Sequence, residues 1–79
     1  MVVSFTPGRV RLRFKELKDA AAAEAVKTRI KETPGITKTE INPLTGSILI
    51  EYDLKILPTE KLLEAGRGEL AKLGIKAEF

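Results

Sequence analysis

A chain of 79 residues, 43% hydrophobic and 32% charged, has the composition of one folded domain with a single modest core, not of a disordered segment. Its 14 basic and 11 acidic residues give a net charge of +3, which permits an acidic partner without demanding one. Cysteine and histidine are both absent, so disulfides, thiolate nucleophiles and imidazole acid–base chemistry are excluded, and no apolar run approaches the ~18–20 residues of a membrane span.

The opening residues 1–7 read as an arm or as an extension of the first strand, with Pro7-Gly8 marking a turn or a kink. Arg9 to Phe14 then alternates strictly, which predicts a half-buried strand with Val10, Leu12 and Phe14 inward and Arg9, Arg11 and Arg13 outward. Asp19 is the expected N-cap of a helix running to about Glu32, with Ala22 or Ala23, Val26 and Ile30 along its inner face. Pro34-Gly35 ends that helix, because proline cannot continue its hydrogen-bond ladder.

A second strand is expected from about Thr37 to Asn42, with Thr39 and Ile41 inward, followed by a hairpin turn at Pro43-Leu44-Thr45-Gly46. The third strand, Ser47 to Asp53, places Ile48, Ile50 and Tyr52 inward and Leu49 and Glu51 outward. The second helix opens at Pro58-Thr59-Glu60 with Thr59 as cap, and Leu63, Gly66, Leu70 and Leu73 form its stripe, with Leu62 beside them. Gly66 is a place where the first helix's alanines would approach closely. Gly74 closes the helix, and Ile75 to Phe79 reads as a short last strand. The order strand, helix, strand, strand, helix, strand predicts an α+β, ferredoxin-like split βαβ fold (βαββαβ), a four-stranded antiparallel sheet with both helices on one face. A single cytoplasmic domain over residues 1–79 is expected.

Thr33-Pro34-Gly35-Ile36, the turn from Glu40 to Gly46, the strand Ile48 to Asp53 and the ending Lys72-Leu73-Gly74 together resemble the heavy-metal-associated domain family, over roughly Arg9 to Phe79. The opening Pro7-Gly8-Arg9-Val10-Arg11-Leu12-Arg13 resembles one branch of it. Its members are small bacterial proteins or leading segments of heavy-metal-transporting P-type ATPases, and they commonly lack the family's Cys-x-x-Cys pair. That pair would fall on Asp19-Ala20-Ala21-Ala22, which offers no thiolate. The resemblance therefore implies a link to metal transport, storage or homeostasis while its ligand residues cannot be carried over. Copper(I) and zinc want thiolate or imidazole donors, so neither a soft-metal site nor a cofactor is expected.

Glu16 and Asp19 are the only candidates near that slot for a hard cation, and Lys15 and Lys18 beside them make a poor oxygen cage. The outward row Arg9, Arg11 and Arg13 is the sharpest surface feature. It reads either as a cross-strand ion-pair lattice with Glu40, Glu51 and Glu78 or as a docking face for an acidic protein surface or lipid headgroups. Leu49 would give such a face an apolar centre. The flanking second and fourth strands offer edges for self-association or for a partner's extended segment. Nucleic acid is disfavoured, because RNA-recognition folds of this topology carry stacking aromatics on that face and this one carries none. Acylphosphatases share the topology too, and Asn42 is suggestive of such a phosphate-ester hydrolase. However, the segment Phe14 to Lys18 contains neither the glycines nor the arginine that cradle a phosphate, so the chain is not expected to be an enzyme.

Overall fold

The computed structural model describes residues 2–75, with side chains from Ser4 onward. Its elements are β1 (Val2–Thr6), β2 (Arg9–Arg13), a 3₁₀ turn (Lys15–Lys18), α1 (Ala20–Lys31), β3 (Ile36–Asn42), β4 (Ser47–Tyr52) and α2 (Thr59–Lys72). The strands form one antiparallel sheet in the order β1-β2-β4-β3. Two helices pack their buried residues into the same cluster as the inward side chains of β2 and β4, giving the expected ferredoxin-like α+β arrangement. Among the described residues no helix is long and apolar enough to cross a membrane.

The N-terminal segment is a strand in its own right. Pro7-Gly8 is a tight turn that reverses the chain, so Thr6 pairs with Arg9 and Phe5 with Val10. Proline followed by a glycine at φ +86° has the order of a type II turn, which needs a positive φ at its second central position. β1 thereby takes the sheet edge beside β2, where a split βαβ places its last strand. The expected last strand, 75–79, lies outside the described residues apart from Ile75, which is buried.

Alternation sorts β2 as its sequence predicts. Val10, Leu12 and the following Phe14 are buried, while Arg9 and Arg13 are exposed and Arg11 is half-buried. Asp19 caps α1, its carboxylate accepting from the Ala21 amide at 2.9 Å, and Ala23, Val26 and Ile30 form the buried face. In α2 the buried residues are Leu62, Gly66 and Leu70, so the stripe is turned by one position and Leu63 is only half-buried. Ile41 and Leu73 lean on the core from its margin.

Thr59 does not cap α2. Its hydroxyl is hydrogen-bonded instead to the buried phenol of Tyr52 at 2.7 Å, satisfying a polar group inside the core. At the other end, Ile75 N donates to Leu70 O at 2.9 Å and Gly74 N to Ala71 O at 3.0 Å. This is the Schellman closure, with Ile75 and Leu70 as its apolar pair. Gly66 is not the close-packing point expected of it: a Cβ there would meet nothing within 4 Å.

Three core residues escape the periodic pattern. Leu17 is 0% exposed on the single 3₁₀ turn, Leu57 precedes α2, and Ile75 follows it. Each sits in a connection, where apolar spacing has no period to follow.

Candidate functional site

The slot where the resemblance places metal ligands lies at the junction of the 3₁₀ turn and α1. The turn from Pro43 to Gly46 packs directly against it. Gly46 O accepts from Phe14 N at 2.8 Å, and a Cβ on Gly46 would stand 2.6 Å from Phe14 O. Only glycine, at φ +68°, lets the two segments come this close. Asp19, at the first position of the slot, uses one carboxylate oxygen on its own helix, and Ala20, Ala21 and Ala22 bring no donor atom. Glu16 sits half-buried on the 3₁₀ turn. Among the described residues no group of three or more acidic, histidine or cysteine side chains gathers as a cation cage. The donor set of the slot, without thiolate or imidazole, therefore does not fit a soft metal.

The open face of the sheet is built around β2 and β4. Register places Arg9 opposite Glu51, Arg11 opposite Leu49 and Arg13 opposite Ser47; on the other side of β4, Glu40 of β3 also faces Leu49. The ion pairs differ from the lattice that alternation suggested. Lys38 Nζ stands 3.6 Å from Glu40 Oε2 and 3.8 Å from Glu51 Oε2, so one lysine of β3 gathers both acids. Among the described residues no ion pair ties Arg9 or Arg11 to an acid; Glu78 lies outside those residues. Lys38 is the residue that sequence reasoning missed. Its signal was present, because Lys38 and Glu40 lie two apart on one strand and so share a face.

Leu49 points to this face as expected, but it is not the exposed apolar centre predicted for it. It is 8% exposed, lying between the long side chains of Arg11 and Glu40. Aliphatic stems of charged residues cover apolar surface while their heads stay in water. With Asn42 and Ser47, these residues line a shallow concavity of about 340 Å³. Ser47, 3% exposed, is paired with the Thr45 hydroxyl at 2.7 Å.

The one residue suggestive of a hydrolase, Asn42, is built into the hairpin turn, where its Oδ1 accepts from Leu44 N at 3.1 Å. The segment after β2 closes into the 3₁₀ turn, with no loop that wraps an anion.

Searches of curated proteins and of solved structures gave no match. A family model, described as Heavy metal associated domain 2, matches residues 1–71, which takes in β1, the vacant-of-cysteine slot, the β3–β4 hairpin and nearly all of α2. On that match, together with the sheet and helices it spans, the chain belongs to the heavy metal associated domain 2 family.

Proposed function

We propose that this chain is a non-catalytic docking module of a metal transport, storage or homeostasis system, which engages a protein partner without itself holding a soft metal at the family's usual position. The observation that carries the reading is the content of the slot. Asp19 is engaged as a helix cap, three alanines follow it, and the chain has neither cysteine nor histidine. Family membership supports the link to metal and to protein partners, and domains of this kind are in general non-catalytic.

The partner surface in this reading is the open sheet face. Arg9 and Arg11 present guanidinium groups that no described acid neutralises, Arg13 extends the row, and Leu49 lies at the floor between them. Such a face selects an acidic partner surface, because complementary charge speeds encounter and fixes orientation.

Anaerobic titration with copper(I), zinc and ferrous iron tests the metal half of the proposal. Weak or absent binding is expected, and stoichiometric binding tighter than micromolar defeats it. The docking half is tested by recovery of partners from native cell extract with the natural chain and with Arg11→Glu plus Arg13→Glu. Loss of specific partners in the variant is expected; identical recovery reduces the arginine row to a solvated surface.

A further inference from the structure

The sheet ends at β3, and what lies beyond that edge differs from the arginine face. Among the described residues β3 has β4 on one side only, so alternate residues along it turn main-chain N–H and C=O groups outward with no described strand to receive them. Between this edge and α1 runs a groove of about 420 Å³, lined by Lys27 and Lys31 of α1 and by Ile36, Thr37, Lys38 and Thr39 of β3. Its floor is Ile36, which packs on the core. Among the described residues neither Lys27 nor Lys31 has an ion-pair partner.

The two lysines are four residues apart and therefore share a helix face, about 6 Å apart along the axis. Side chains two residues apart on a strand share a face at about 6.6–6.8 Å. An extended segment laid along β3 thus brings alternate side chains into step with the two ammonium groups. The same geometry argues against a second copy of this chain. Two β3 edges paired about a twofold axis would bring Lys27 and Lys31 of α1 from both copies toward one seam, where like charges repel.

We propose that β3 accepts an acidic, extended peptide segment as an added strand, with carboxylates at alternate positions reaching Lys27 and Lys31. Main-chain hydrogen bonds supply the attachment and the lysines supply the choice of sequence. The groove shares Lys38 with the open face but none of Arg9, Arg11 and Arg13, so this proposal stands or falls independently of the docking role assigned to those arginines.

The test uses the ¹⁵N-labelled chain and a capped octapeptide of alternating glutamate and valine, with a lysine–valine octapeptide of the same design as control. The glutamate peptide is expected to shift the amides of residues 36–42 and slow their hydrogen exchange. Lys27→Glu plus Lys31→Glu should weaken that binding by about tenfold or more, as should raised salt. Lys27→Gln plus Lys31→Gln serves the same purpose with less charge reversal if the first variant folds poorly, and it should also weaken binding. Arg11→Glu plus Arg13→Glu should leave it unchanged. The proposal is overturned by no binding at millimolar peptide, by equal binding of the lysine peptide, or by shifts confined to the open face. It is equally overturned if β3 protection rises with protein concentration and no peptide, which would make the occupant a second copy.

Discussion

On one side of β4, Ile48, Ile50 and Tyr52 are sealed by helices that bring Val26, Ile30, Leu62 and Leu70 onto them. On the other side Ser47 and Leu49 are nearly as inaccessible, although neither described helix shares a core cluster with Leu49. The first side is closed by apolar volume from the two helices. The second is closed by the long side chains of Arg11 on β2 and Glu40 on β3, and by the hydroxyl of Thr45 in the hairpin turn. Exclusion of water by packed hydrocarbon and exclusion by charged side chains lying across a strand give similar burial. They should differ in strength, because only the first removes large areas from water with rigid, mutually supporting contacts.

The largest expected effect lies on the helix side. Ile50→Ala should cost about 2–5 kcal/mol, since a buried aliphatic is removed where the surroundings cannot collapse. Urea unfolding with a two-state fit measures it, and a loss under about 0.5 kcal/mol contradicts the burial of that side chain. Leu49→Ala should fall between this value and zero, at about 1–2 kcal/mol. The flexible side chains over Leu49 can settle into the space it leaves, which the helices over Ile50 cannot do. If the two substitutions cost the same, the open face is packed as rigidly as the core and the contrast between the two sides fails.

This contrast also explains what the sequence made legible. Strict alternation in β2 sorted every residue from Arg9 to Arg13 onto its correct side, because polar and apolar types differ sharply there. In β4 the run Ser47-Ile48-Leu49-Ile50 has three consecutive apolar residues, and alternation alone put Leu49 in water. A continuous apolar run is the mark of a strand covered on both faces, and the structure shows that this was the applicable reading. The turn of α2 from Leu63 to Leu62 was close to undecidable from spacing, since both leucines lie next to the stripe. Thr59 was misassigned for a different reason: its hydroxyl had two uses, a cap or a core hydrogen bond, and only the position of Tyr52 chooses between them. In the candidate site, Asp19 was read correctly as a cap from local chemistry alone. The role of Lys38 depends on cross-strand register, which pairs Lys38 with Glu51 and which no single segment reveals.

Lys38 provides the finest test of how the open face is held. It joins Glu40 and Glu51 at 3.6 and 3.8 Å, with all three side chains well exposed to solvent. Ion pairs of this kind contribute roughly 0–1 kcal/mol, because water already solvates both charges and salt screens what remains. Lys38→Ala should therefore lower stability by about 0.5 kcal/mol or less at low salt, and the difference should vanish in molar salt. Glu51 would not be left without a cation nearby, since Arg9 stands directly across from it on β2. Lys38→Met keeps most of the aliphatic stem and removes the charge, so it separates the two contributions. Stability equal to the natural chain in Lys38→Met, with a small loss in Lys38→Ala, would assign the cover to the stem. A loss above about 2 kcal/mol in both variants, persisting in high salt, would exceed what exposed pairs supply. It would mean that the open face is held by more than solvated ion pairs, and the contrast between the two sides of β4 would narrow.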